Sequence, residues 1–170
     1  MEPISAKRRR ELLDAAREVL KIELLDRYPV DAEQFAAWQA GDTEKVAASY
    51  AAWRDEMAAD SAAGVIFKRV RVVSEPLSEY QRMAVEWSGL GVEAGEQLRW
   101  LPRRLVSAVP LPGNDCFVMD RTSVMFNVHD GDGVIAENQV SDAPDVLRFC
   151  LKAFERAWEM ATPHDQYKPG

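Results

Sequence analysis

Cysteine and histidine are scarce in this sequence, with two of each among 170 residues. Neither His129 nor His164 sits in an H-x3-H or H-x2-E arrangement, so the helical zinc-hydrolase pattern is absent and no metal ligand is assigned. Cys116 and Cys150 lie in the apolar contexts CFVMD and LRFCLKAF, where buried free thiols are expected rather than a disulfide. No apolar stretch approaches the about 20 residues of a membrane-spanning helix. The opening MEPISAKRRRELLDAAREVL has no apolar core or cleavage pattern of a secretory leader. A cytoplasmic protein with no membrane association is therefore expected. Equally absent are G-x-S-x-G, a P-loop, and a G-x-G-x-x-G between a strand and a helix. Gly89, Gly91 and Gly95 fall after a helix and before a strand, the wrong side for a loop that cradles phosphate, and read as a turn. No catalytic residue and no cofactor follow from motifs, and the chain reads as a non-enzyme.

What the sequence has is the composition of a folded domain: 47% hydrophobic and 29% charged residues, with five tryptophans to anchor cores or interfaces. Acids outnumber bases 28 to 21, a net charge of −7, which repels phosphate backbones and disfavours direct nucleic-acid binding. The basic run Lys7–Arg8–Arg9–Arg10 reads as a solvated first helical turn.

Apolar spacing predicts a helix over 5–27 on Leu12, Leu13, Ala16, Val19, Leu20, Ile22 and Leu24, stopped before Pro29. A short helix carries Phe35 and Trp38. A longer one, opened by Asp42 or Thr43 and closed by Gly64, carries Val46, Tyr50, Trp53 and Met57. Residues 65–73 alternate Arg69 and Arg71 with Val70 and Val72, a strand signal. Ser78 caps a helix through Tyr80, Met83 and Trp87, and residues 97–101 form a second strand, so a parallel pair joined by a crossover is expected. After a surface loop over 102–114, three strands at 115–120, 123–129 and 134–139 make an antiparallel meander. Its second turn is Asp130-Gly131-Asp132-Gly133. A last helix over 143–161, with Pro144 in its first turn, presents Val146, Phe149, Cys150, Ala153, Phe154, Ala157 and Trp158. The expected architecture is α/β (α+β): a mixed sheet of about five strands with flanking helices at 65–170, preceded by a helical segment at 1–64, all in one domain 1–170.

Three constellations carry chemistry. Asp130 and Asp132 resemble the start of a calcium loop, but Gly133 comes too early and position 134 is Val; a polar hairpin turn is expected. Asp115, Cys116 and His129 or His164 would make an enzyme of unrecognised type if they gathered in a cleft. Arg69, Arg71, Arg103 and Arg104, with Arg99 nearby, could form a positive patch for phosphate, carboxylate or an acidic protein surface.

The segments RVRVVSEPLSEY, AGEQLRWLPRR, LPGNDCFVMD and FERAWEMATPHDQY resemble an actinobacterial domain-of-unknown-function family of small proteins encoded beside helix-turn-helix regulators, over about 26–167. The order of elements is also distantly similar to non-catalytic phospholipase D-like modules; the H-x-K pair of their catalytic relatives is missing, since His129 and His164 precede Asp130-Gly131 and Asp165-Gln166. The gene neighbourhood of that family suggests a regulatory or accessory protein that binds a helix-turn-helix transcription regulator; exposed Arg69, Arg71, Trp100, Arg103 and Arg104 are the expected binding residues because Arg and Trp are favoured at interface hot spots, with a core position the equal alternative for Trp100. A small-ligand or nucleic-acid phosphate sensor using the same arginines is the second expectation. A homodimer is also expected from the commonness of symmetric pairs among small interaction proteins.

Overall fold

The alternation at Ile66–Val73 forms β3, the longest strand of the computed structural model, which describes residues 1–170. β3 pairs in parallel with two neighbours: β2 (Glu18–Glu23) on one side and β4 (Gln97–Pro102) on the other. Parallel neighbours need crossovers. The first is made by helices α2 (Ala32–Gln39) and α3 (Thr43–Ala62), the second by α4 (Glu79–Trp87) and the short α5 (Gly89–Glu93). The meander of β5 (Asp115–Met119), β6 (Ser123–His129) and β7 (Ile135–Ser141) joins antiparallel to β2 through β5. Two short strands, β1 (Glu2–Ile4) and β8 (Thr162–Pro163), complete one eight-stranded sheet in the order β1-β7-β6-β5-β2-β3-β4-β8.

Local chemistry sets the helix starts. Ser5 accepts a hydrogen bond from the Arg8 N–H at 3.1 Å to open α1 (Ala6–Ala15), Asp42 accepts from Lys45 at 3.0 Å to open α3, and Ser78 accepts from Gln81 at 3.2 Å to open α4. The β5–β6 turn, Asp120 to Thr122, puts Asp120 and Arg121 at φ of 49° and 56°, left-handed conformations that close a tight hairpin. Asp120 Oδ1 accepts the N–H groups of Arg17 and Glu18 at 2.8 Å each, which ties that turn to the start of β2.

The two faces of the sheet differ. One is apolar: Leu20, Ile22, Val70, Val72, Cys116, Val118, Val124 and Phe126 pack on Cys150, Ala153, Phe154 and Ala157 of α6 (Pro144–Met160). Both thiols are free and buried. The other face is apolar only at its ends. Val19, Phe67, Phe117, Met119 and Met125 lie under α1 and α3 at one end; Val73, Leu98 and Trp100 pack with Leu77, Ala84 and Tyr167 at the other. The strip between them is polar.

The mixed sheet with flanking helices is present, but with eight strands rather than about five. The largest difference is at 5–27: α1 stops at Ala15 and Glu18–Glu23 is a central strand. Both faces of that strand are covered, so Val19, Leu20 and Ile22 read as a continuation of the helical stripe of Leu12, Leu13 and Ala16, and only the β-branched Val19 and Ile22 hint at a strand. β1 and β8 are too short to show a period. Gly89–Glu93 is a turn of helix rather than a loop. Phe149, placed on the packed face of α6 by its spacing, stays 42% exposed. No helix is long and apolar enough to cross a membrane.

Because Leu20 is fully buried in a central strand and Leu12 only partly covered on α1, Leu20→Ala should cost about 3–5 kcal/mol and Leu12→Ala about 1 kcal/mol. Urea denaturation of the two variants measures the difference. Equal losses would indicate one continuous amphipathic helix.

Candidate functional site

The alternation that sends Leu20, Ile22, Val70 and Val72 to α6 sends Lys21, Glu23, Arg69 and Arg71 to the opposite side. The parallel register sets Lys21 beside Arg69 and Glu23 beside Arg71. β5 adds Asp115 to the same face, β6 adds Asn127 and His129, and β7 adds Asn138 opposite Asn127. These side chains floor a cavity of about 630 Å³. Its walls are Arg9 of α1, Tyr28 and Asp31 of the connection after β2, Gln34 of α2, Tyr50 and Trp53 of α3, and Tyr80 of α4.

Glu23 is the hub. Its Oε2 accepts from Arg71 Nε at 2.5 Å, and its Oε1 accepts from Arg69 Nη1 at 3.3 Å and from Lys21 Nζ. Burial pushes the Glu23 carboxyl up, but Arg71, Lys21 and Arg69 together outweigh it and hold it well below the usual carboxylate range. Arg69 reaches on to the buried Glu96: Nη2 donates to Oε2 at 3.0 Å, and Nε lies 2.6 Å from Oε1, an ion-pair contact without hydrogen-bond geometry. Trp53 Nε1 donates to the same Glu96 Oε2 at 2.8 Å, and its ring lies 5.3 Å from the Arg69 guanidinium. Glycine at 91 leaves the space for this group, since a Cβ there would stand 2.7 Å from Glu96 Oε2 and 2.8 Å from Trp53 Nε1.

Cations exceed carboxylates in this part of the cavity. Arg9 is half-buried, with its guanidinium 5.3 Å from the Phe117 ring, and its Nε donates to Asn127 Oδ1 at 3.3 Å; it has no acidic partner. Lys21, Arg69 and Arg71 pair directly with Glu23 and Glu96, Arg9 pairs with neither, and Asp115 and Asp31 lie across the same cavity. Arg71 makes one hydrogen bond, through Nε to Glu23, and its terminal nitrogens keep donors for something else.

The far side of the cavity is acidic and aromatic. Asp115 Oδ1 accepts from the Leu24 N–H at 2.7 Å and Oδ2 from the Tyr28 hydroxyl at 2.8 Å, while the Tyr80 hydroxyl donates to Asp31 at 2.5 Å. Burial, then the charge of Glu23, pushes the Asp115 carboxyl up. Burial also pushes the Tyr50 phenol up to about 12 and raises Tyr28 and Tyr80 further, so all three remain hydrogen-bond donors at neutral pH. His129 Nε2 lies 4.0 Å from Asp115 Oδ2, outside hydrogen-bond reach. It and Asn138 Oδ1 are buried with no partner.

The five expected binding residues divide. Arg69 and Arg71 are in the cavity but buried, not exposed. Trp100 is fully buried beneath them, its ring 5.5 Å from the Arg71 guanidinium and its Nε1 donating to His164 Nδ1 at 3.0 Å. Arg103 braces the loops, donating to Leu24 O at 2.6 Å and Ser74 Oγ at 3.1 Å. Arg104 is at the surface, paired with Glu75 at 3.0 Å. Arg99 stacks on Trp158 at 4.3 Å. Of Asp115, Cys116, His129 and His164, only Asp115 and His129 meet; Cys116 faces Cys150 on the other side of the sheet, and His164 serves Trp100. Asp130 Oδ1 accepts from the N–H groups of Asp132 at 2.9 Å and Val134 at 3.0 Å, so this carboxylate is used by its own turn. Sequence reasoning missed Lys21 and Glu23, hidden in the supposed helix, and Tyr28, Tyr50, Tyr80, Asn127 and Asn138. The one available signal was polar residues alternating on several strands at once.

Residues 7–169 match the family described as Domain of unknown function (DUF6879), and the chain belongs to it. No curated protein matches the chain.

The raised Asp115 carboxyl gives a pH test. The folded state holds this proton more tightly than the unfolded chain, so the native protein loses stability from this group as pH rises from about 4 through the folded value. Asp115→Asn removes that titration. The urea midpoint of D115N, measured against the native protein, should therefore improve steadily between about pH 4 and pH 7. A constant difference would show that Asp115 titrates alike in both states.

Proposed function

We propose that this member of the family is a small-molecule receptor whose ligand carries a phosphate or carboxylate, bound in the cavity between the sheet and α1–α3. The observation that carries this reading is the gathering of Arg9, Lys21, Arg69 and Arg71 on one covered face, with Arg9 in no ion pair and the terminal nitrogens of Arg71 in no hydrogen bond. An arginine fork with free terminal nitrogens suits a two-oxygen anion, and the helices over it make a concave, partly covered site.

The receptor acts as a regulatory or accessory protein in this reading. A ligand that closes α1–α3 on the sheet changes the surface those helices present, and a net charge of −7 suits a basic partner such as a helix-turn-helix regulator. The partner surface is then the helical cover rather than Arg103 and Arg104, whose donors are taken within the chain.

The test is thermal denaturation with a panel of phosphorylated and carboxylated metabolites. A ligand at a hundredfold excess over its Kd should add about 2.7 kcal/mol, or roughly 5–10 °C in Tm for a chain of this size. Arg71→Lys should remove most of the shift while leaving the unliganded Tm within a few degrees. No stabilisation by any anion, or an equal shift in R71K, would refute the reading.

A further inference from the structure

We infer that the ligand is a nucleotide, with its phosphate at the Arg71–Lys21–Arg9 end and its base edge against Asn138 and His129. This rests on the anion-receptor reading and adds the second half of the ligand. The observation behind it is the pair of orphaned buried atoms, His129 Nε2 and Asn138 Oδ1. Both line the cavity, on adjacent strands, and neither side chain makes any hydrogen bond within the chain. Buried polar atoms are rarely left unpaired in a folded protein, so two in one cavity point to a partner from outside.

The chemistry of the two groups defines that partner. An asparagine amide offers a donor and an acceptor side by side in one plane, and a neutral imidazole offers one of each. Their complement is a planar group with alternating donors and acceptors, as the edge of a nucleobase has. Asn127, directly across from Asn138 in the strand register, is already held by Arg9 and so fixes the border between the two halves. The Tyr28 ring on the wall, 6.1 Å from the His129 ring, puts an aromatic beside these polar groups, and bases stack on aromatics whatever their sequence.

The two ends lie apart: in the sheet order β7-β6-β5-β2, Asn138 and Lys21 are three strand spacings from one another, about 14 Å, and a ligand that reaches both is longer than inorganic phosphate. The cavity of about 630 Å³ is likewise of the size that holds a small organic molecule.

Calorimetric titration of the full chain with nucleoside 5′-monophosphates, the matching nucleosides and ribose 5-phosphate tests the inference. At least one nucleotide should bind about tenfold or more tighter than ribose 5-phosphate, the worth of one good bidentate base contact. Asn138→Leu should erase that advantage and leave ribose 5-phosphate binding unchanged, which also shows that the variant is folded. Asn138→Asp, which keeps the shape but removes the amide donor, should do the same. Equal affinity for nucleotides and ribose 5-phosphate would overturn the base contact while the anion reading stands. A nucleoside as tight as its nucleotide would overturn the phosphate placement. Binding of none of the probes, with carboxylates still stabilising the protein, would remove the nucleotide alone; no binding of any anion would remove both readings.

Discussion

Glu23 is a buried carboxylate that faces three cations, Lys21, Arg69 and Arg71, and the polar half of the molecule is arranged around it. Breaking one buried pair of this kind costs about 3–5 kcal/mol because the remaining charge is stranded; here one acid serves three bases at once. The arrangement exists because β2 and β3 run in parallel in a register that sets Glu23 beside Arg71 and Lys21 beside Arg69. A shift of one residue would send these charges into the apolar layer against α6 and Leu20, Ile22, Val70 and Val72 into the cavity. The apolar face and the ionic face therefore specify the same register, each excluding the alternative.

The ionic strip in turn explains the helical cover. Helices α1, α2 and α3 bury little of an ordinary core: α3 has only Val46 and Met57 fully covered over its 20 residues. They close on the sheet through the apolar ends of that face and through specific polar contacts, chiefly Trp53 of α3 to Glu96 and Arg9 of α1 to Asn127. A layer held mainly at its margins, over a floor of basic side chains and two unpaired buried atoms, is what the proposed ligand would complete. The α6 side has none of these features, and its packing is that of an ordinary core.

The meander, the parallel pair β3–β4, the caps of α3 and α4 and the last helix were legible because each is covered on one face and exposed on the other, or is bounded by turn residues. β2 was not legible. Its outward-facing Lys21 and Glu23 suit the polar side of a helix as well as the cavity side of a strand, and its apolar residues fall in step with α1. The site was half legible for the same reason. Arg69 and Arg71 stood out as an alternating pair, but alternation reports that two side chains share a face and says nothing of whether water or a helix covers that face. Trp100, Arg103 and Arg104 were grouped with them by residue type. The structure separates them, because a tryptophan beside an arginine on neighbouring strands packs beneath it, and arginines in the following turn find nearby carbonyls and acids first.

The covered face of the sheet gathers four basic side chains, Arg9, Lys21, Arg69 and Arg71, with donors left to bind an anion. Diffraction from crystals briefly soaked in bromide, recorded at the bromine absorption edge, tests it without any assumption about the natural ligand. The account predicts an anomalous peak inside the cavity, bounded by the terminal nitrogens of Arg71 and by Lys21 or Arg9. Bromide found only at surface sites such as Arg104, with none in the cavity, would show that Glu23 and Glu96 already balance their cations and would contradict the account.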